Sequence, residues 1–301
     1  MNKIFVVMSK EFRDMVTGKR LLAIIGAFLL FFSIALANYA LKPSPGRINP
    51  MISLVIPIVS MLSFIAPLIG IALGFDAVSG EYERETLRTV LAQPVFRDEL
   101  LNGKFLAAFA ATALSVTVSM LIAIGAAIST LGITPTWEQA IGLLLVMVLA
   151  MMLAMAYYSI SILASAVTKK SSTSIIISVV VFVFLGIVLQ AIAQFIAQIF
   201  VGPPPNIRIM PGSKPSRSET KILREYYSRL NALSRNIMVA SINFDFVRMS
   251  MSALNLLSSK SVDVALQTFI QQNMIGFLVM AVFIALPLLA AYMVFTRSEL
   301  K

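Results

Sequence analysis

Residues 76–98 read DAVSGEYERETLRTVLAQPVFRD and place five carboxylates and three arginines within one short stretch. Glu81 with Arg84 and Glu85 with Arg88 stand three apart, the spacing at which opposite charges meet on a helix. Ser79 is placed to cap that helix, and Gly80 eases the turn into it. Glu81 and Glu83 follow in the first turn, where carboxylates favour the positive end of the helix dipole. Leu87, Val90 and Leu91 add an apolar patch, and Pro94 ends the element. A capped, charge-rich rod of this kind suits docking to another protein rather than bond-making chemistry. The chain contains no cysteine and no histidine. Disulfides, thiolate nucleophiles, and the commonest general base and metal ligand are therefore excluded. No catalytic residue, resident cofactor or metal ligand is expected in this chain.

Two uncharged patterns remain. Gln190, Gln194 and Gln198 recur every four residues, on one helical face. Three amides turned to lipid are costly, so they are expected to face a polar translocation route, another helix or a partner protomer. Met147, Met151 and Met155 form a similar stripe. Thioethers suit Cu(I), yet methionine is also a flexible packing residue, and without cysteine or histidine nearby the stripe reads as packing.

The elements that must position these residues follow from where the charges are absent. Mean hydropathy is +0.90. The sequence is 58% hydrophobic and 13% charged, against about 25% charged in a soluble domain, which excludes an ordinary water-soluble globule. Six runs lack any charge: 21–41, 48–75, 105–137, 139–168, 171–207 and 264–296. Each exceeds the ~20 residues needed to span a bilayer, and a backbone in lipid must bond within its own element. Six transmembrane helices are expected, near 21–41, 52–75, 105–131, 140–167, 173–200 and 272–295. None carries an acid or base, which argues against proton or sodium coupling. The short connections on one side hold 13 Lys and Arg and those on the other hold 2. Both termini are therefore expected to be cytoplasmic, in a multi-pass protein of the cell membrane.

Residues 2–17 carry Ile4, Met8, Phe12 and Met15 at helical spacing and read as an amphipathic helix on the membrane surface, in contact with lipid. The segment 202–270, expected outside, holds two amphipathic stripes. One is Ile222, Tyr226, Leu230, Leu233 and Ile237. The other is Ile242, Phe246, Met249, Ala253 and Leu256. Ser216 and Glu219 form a capping box before the first. Nine basic residues against four acidic ones make this helical cap positive, as a solvated surface near lipid or as a face for an acidic extracellular partner. No nucleic-acid partner is expected.

The run Ser79, Gly80, Glu81, Glu83, Arg84, Thr86, Leu87 and Pro94 resembles the hallmark of ABC-2-type transporter permeases, in that order. A glycine often precedes the Thr-Leu pair in that family, whereas Glu85 stands here and is expected to stiffen the rod. The Lys10–Asp14 segment, the spans, and the basic turn TKKSST containing Lys169 and Lys170 also resemble the family. The length of 202–270 is similar to the branch that includes the permease of nitrous oxide reductase maturation. The resemblance implies an all-α membrane protein in four parts: a cytoplasmic helix at 1–20, five spans at 21–201 with a coupling helix at 77–96, an outer helical segment at 202–270, and a sixth span and tail at 271–301. It also implies a homodimer or heterodimer of permease subunits bound to two cytosolic ATPases, which hold ATP and Mg. The coupling residues it implies are Ser79, Gly80, Glu81, Glu83, Arg84, Thr86, Leu87 and Leu91, with Lys169 and Lys170. No Gly-x-x-x-x-Gly-Lys-Ser/Thr loop is present, so ATP hydrolysis is expected in the partner. The reading is an exporter permease. The competing classes are a stand-alone channel or secondary carrier, and a membrane-anchored sensor whose outer cap binds a ligand.

Overall fold

The computed structural model describes residues 3–41, 50–85, 96–132, 134–205, 216–257 and 262–297. Every regular element among them is helical. In chain order they are α1 (Lys3–Thr17), α2 (Lys19–Leu41), α3 (Pro50–Gly74), α4 (Ser79–Glu83), α5 (Arg97–Leu131), α6 (Trp137–Thr168) and α7 (Ser171–Val183). A π-helical turn (Phe184–Val188) follows, then α8 (Leu189–Val201), α9 (Arg217–Met238), α10 (Ile242–Leu257) and α11 (Val262–Arg297). Among the described residues, five helical stretches are long and apolar enough to cross a membrane, or six if α9 and α10, bent by 120°, count as one span. The expected first span, α2, is a 23-residue helix.

α6 is the central element. Leu149, Leu153, Tyr157, Tyr158 and Ile162 are fully buried, and α3 and α11 pack along it. The methionine stripe joins this core: Met155 is buried, while Met147 and Met151 pack against the cluster at its edge. Arg97 at the start of α5 donates to the carbonyls of Phe295 and Thr296 at 3.0 and 3.3 Å, meeting the unpaired acceptors that end α11. The starts of α5 and α7 and the ends of α3, α6 and α11 thus gather at one end of the bundle, called here the turn end. α1 lies there against α5. Its half-buried Ile4, Met8, Phe12 and Met15 match the sequence stripe, and Val7 fits against Gly103, where an added Cβ would stand 2.6 Å from Val7 Cγ1.

The Ser216–Glu219 capping box is present, with Glu219 N–H donating to Ser216 Oγ at 3.2 Å and Ser216 N–H to Glu219 Oε2 at 2.7 Å. Both amphipathic stripes are helical, but they differ in burial. α9 is largely exposed, whereas Ile242, Phe246, Met249 and Ala253 of α10 are completely buried. α10 packs among α3, α6, α11 and the π turn, so the second stripe is part of the bundle and not a solvated cap. Ser241 caps it by accepting from Phe244 N–H at 3.3 Å.

Two breaks in neighbouring helices receive the tip of α10. Pro67 has no N–H, so the Ser63 carbonyl four residues earlier lacks its helical donor; Asn243 Nδ2 supplies one at 2.6 Å. In the π turn, Leu189 N–H reaches back to Phe184 O, and the Leu185 carbonyl accepts from Ser241 Oγ at 2.7 Å. Tyr157 OH completes the seat by donating to Asn243 Oδ1 at 2.6 Å. Pro67→Ala returns a helical donor to Ser63 O and is expected to loosen this seat. Losing one net hydrogen bond of about 1 kcal/mol should speed amide exchange over 241–246 roughly fivefold, while α3 itself is not weakened. Tyr157→Phe should act in the same direction. Hydrogen-exchange mass spectrometry reads both, and unchanged exchange in both variants would show that these bonds do not hold the tip.

α10 also revises the reading of the membrane interior. The spans themselves carry no charge in their apolar runs, but α10 brings Asp245 and Arg248 between them. Asp245 Oδ1 accepts from Arg248 Nη2 at 2.8 Å, with the two side chains 0% and 30% exposed. Arg248 Nη2 lies beside Gly276 of α11, where an added Cβ would be 3.0 Å away. An ion pair among spans is thus present, carried by a helix that the charge-free runs do not reveal.

Candidate functional site

The candidate site is the α4 turn between α3 and α5. The rod expected over 77–96 breaks at Glu85, and residues 86–95 lie outside the described residues. Regular helix covers Ser79–Glu83, Arg84 is its C-cap, and Glu85 adopts φ +57°. That left-handed conformation favours glycine and costs a side-chain-bearing residue roughly 1–2 kcal/mol. Glu85 therefore ends the helical turn instead of stiffening it. Thr86, Leu87 and Leu91 lie outside the described residues.

Ser79 is not the N-cap; Val78 holds that position without a side-chain cap. Ser79 is instead fully buried, as the centre of a hydroxyl cluster. Its N–H and that of Val78 donate to Ser165 Oγ of α6 at 2.8 and 3.1 Å. Ser165 Oγ donates to Ser79 Oγ at 3.0 Å, and Ser79 Oγ donates to Phe75 O at 3.0 Å. Ser171 Oγ, at the start of α7, lies 3.1 Å from Ser79 Oγ. Small side chains let α4 sit directly on α6 and α7, and their hydroxyls satisfy backbone groups that would otherwise be buried unpaired.

Glu81 is turned inward. Its Oε1 is 2.8 Å from Lys104 Nζ of α5, and the same ammonium is 3.1 Å from Glu11 Oε2 of α1. The Lys104 side chain is 4% exposed and the two carboxylates 14–15%. One buried cation between two acids fastens α1, α4 and α5 at a single point. The expected Glu81–Arg84 pairing gives way to this longer-range one, because Lys104 enters a site from which water is nearly excluded.

Tyr82 and Glu83 make the remaining connections. Lys169 Nζ stands 5.1 Å from the Tyr82 ring centroid, within cation–π range. Ser171 N–H donates to Glu83 Oε1 at 2.9 Å, placing a carboxylate at the positive end of α7. Lys169 ends α6 with φ +54°. The basic turn 168–173 and the α4 turn, far apart in sequence, therefore form one surface. Glu83, Arg84, Glu85, Lys169 and Lys170 are exposed on it, and Gly80 is half-buried.

The glutamine stripe lies elsewhere. Gln190 is half-buried and Gln194 and Gln198 are exposed on α8, away from the turn end. Sequence reasoning did not single out Lys104, Tyr82, Ser165 or Ser171 as partners of this turn. The only local sign was Lys104 itself, a lone cation at the edge of a long uncharged run. Among the described residues no group of three or more carboxylates could hold a metal ion.

A bundle of several helices long and apolar enough to cross a bilayer defines a multi-pass membrane protein. A family model described as ABC-2 family transporter protein matches residues 5–300, and the chain belongs to that family. It is 33% identical over 141 residues to the probable ABC transporter permease protein NosY of Pseudomonas aeruginosa, covering 46% of this chain and 49% of that protein. It is also 33% identical over 106 residues to the protein of the same name from Stutzerimonas stutzeri, covering 35% and 38%. The matched part spans about half or less of these relatives.

Proposed function

We propose that the chain is the permease subunit of an ATP-driven ABC exporter, acting as a pair of permease subunits with two cytosolic ATPases. Both termini and the turn end face the cytoplasm in this reading, as the short-loop charge bias favours. ATP and Mg belong to the partner, since the sequence has no phosphate-binding loop. The observation that carries the reading is the bonding of α4. Ser79, Glu81, Tyr82 and Glu83 hold residues of α6, α5, the 168–173 turn and α7 in succession. A push on the exposed side of such a turn is delivered to several spans at once and, through Lys104 and Glu11, to α1.

The roles within the turn divide accordingly. Glu83, Arg84, Glu85, Lys169 and Lys170 are the ATPase-facing polar groups, continued by Thr86, Leu87 and Leu91. Ser79 and Glu81, with Gly80 between them, transmit motion inward. The exported substrate crosses by alternating access on a path bordered by Gln190, Gln194 and Gln198.

Co-purification of the chain with its ATPase, together with coupled hydrolysis, tests this division. The double variant Arg84→Glu/Lys170→Glu should weaken association by 10-fold or more, as charge-assisted contacts are worth roughly 1.5–3 kcal/mol each. Glu81→Gln should keep association and lose substrate-stimulated hydrolysis. Wild-type association and hydrolysis in both variants would refute the coupling role of the turn.

A further inference from the structure

The position of α9 along the bundle follows from two hydrogen bonds. Tyr226 OH donates to Gly202 O at 3.0 Å, and Ser241 Oγ, just past the end of α9, donates to Leu185 O at 2.7 Å. Gly202 ends α8, whereas Leu185 lies near the middle of the 31-residue stretch Ser171–Val201. α9 therefore descends along α8 from its outer end to mid-depth, and α10 turns back from there. Arg235 stands six residues above Ser241, about 9 Å at 1.5 Å per residue. That depth is inside a hydrocarbon core about 30 Å thick.

The face α9 turns outward is mostly polar along this descent, although Tyr227 and Ala232 are exposed on it as well. Ser228, Arg229, Asn231, Arg235 and Asn236 are all exposed. Arg229 pairs with Glu225 at 2.8 Å, both on the surface. An exposed arginine and asparagine at this depth are costly against acyl chains. Water beside this face would satisfy them. Gln194 and Gln198 are exposed on the neighbouring α8, whose buried residues are the small Ala193 and Ala197. α9 carries five basic residues against two acidic ones, so the space beside it has a positive potential.

We propose that the exposed face of α9, with Gln194 and Gln198 beside it, lines a water-filled vestibule reaching to mid-depth and binding an anionic solute from the aqueous phase, with Arg235 its innermost cation. The α10 tip, seated on Ser63 O and Leu185 O, forms its floor. The inference rests on the permease reading for its purpose; its test needs neither nucleotide nor ATPase, so it can fail while that reading stands, and the reverse.

The absence of cysteine gives a background-free assay. Asn236→Cys in the full chain, in lipid nanodiscs open on both faces, is reacted with sulfonatoethyl methanethiosulfonate and with its trimethylammonium analogue. Rates are normalised to those with free cysteine. The thiol at 236 should react with both reagents and favour the anionic one by about threefold or more, as one nearby cation in a watery site provides. Adding Arg235→Gln should remove most of that preference. Val180→Cys, exposed on α7 at lipid depth, is the control and should remain unreactive. No reaction at 236, whether lipid or a second copy covers it, overturns the vestibule. Reaction without anionic preference overturns the ligand class.

Discussion

Replacing Gly70 with alanine is expected to keep the bundle from assembling. Gly70 and Gly74 lie one turn apart on the face of α3 that meets α6. A Cβ at position 70 would overlap the Ala154 carbonyl oxygen and stand 2.7 Å from Tyr158 N; at position 74 it would stand 2.8 Å from Ser161 Cβ. Backbone atoms of a packed helix have no alternative rotamer with which to yield. The two helices must separate, and with them the site of Tyr157, Tyr158 and Ser161, all completely buried. Small residues at such an interface are what bring membrane helices into contact, because lipid tails offer no hydrophobic drive between them. The loss should exceed about 3 kcal/mol, the upper part of the usual overpacking range. Gly125, with no atom within 4 Å of an added Cβ, supplies the control. Gly125→Ala should be neutral or stabilising by up to about 1 kcal/mol, the helix-propensity difference. Expression and thermal unfolding in detergent read both. A Gly70→Ala protein with the wild-type Tm would mean that α3 and α6 do not approach this closely.

The second large effect is expected at Lys104. Lys104→Met leaves Glu81 and Glu11 facing one another without the cation that now lies 2.8 and 3.1 Å from them. Removing one partner of a buried ion pair typically costs about 3–5 kcal/mol, mostly because the remaining charge is stranded. Here two carboxylates lose their shared cation at once, with Lys10 still 3.4 Å from Glu11, and their repulsion adds to the loss. The triple variant Glu11→Gln/Lys104→Met/Glu81→Gln removes every charge together and should recover most of the stability, since a buried triad replaced by neutral groups is often neutral in effect. Under the proposed coupling role of the turn, its ATPase coupling should stay lost, because the α1–α4–α5 fastening is gone. Thermal unfolding separates the two arms. If Lys104→Met melts like wild type, the ammonium does not sit between these acids, and the inward role of Glu81 falls with it.

Much of this protein is determined by sequence order alone. A bilayer forbids unpaired charge and unpaired backbone over ~20 residues, so the uncharged runs announce apolar helices without knowledge of any neighbour. The Ser216–Glu219 box and the stripes of α1, α9 and α10 are equally local, since each depends on residues three or four apart. The Ser-Gly-Glu hallmark likewise identifies the family from adjacent positions.

What tertiary structure decided is whatever depends on a partner distant in the chain. Ser79 looks like a helix cap because its neighbours permit one; Ser165, 86 positions away, makes it a packing residue. Glu81 has Arg84 at helical spacing, yet the nearly dry site around Lys104 strengthens a different pairing. Glu85 looks like a helix former, but the chain must leave α4 there, and it takes the left-handed conformation. α10 is the clearest case. Two charges within sixteen residues read as a soluble amphipathic helix, but Asp245 and Arg248 neutralise one another one turn apart. The helix can then enter the bundle, where Ser63 O, freed by Pro67, and Leu185 O of the π turn accept hydrogen bonds from its tip. No local pattern encodes that match, because the donors lie on one segment and the acceptors on two others.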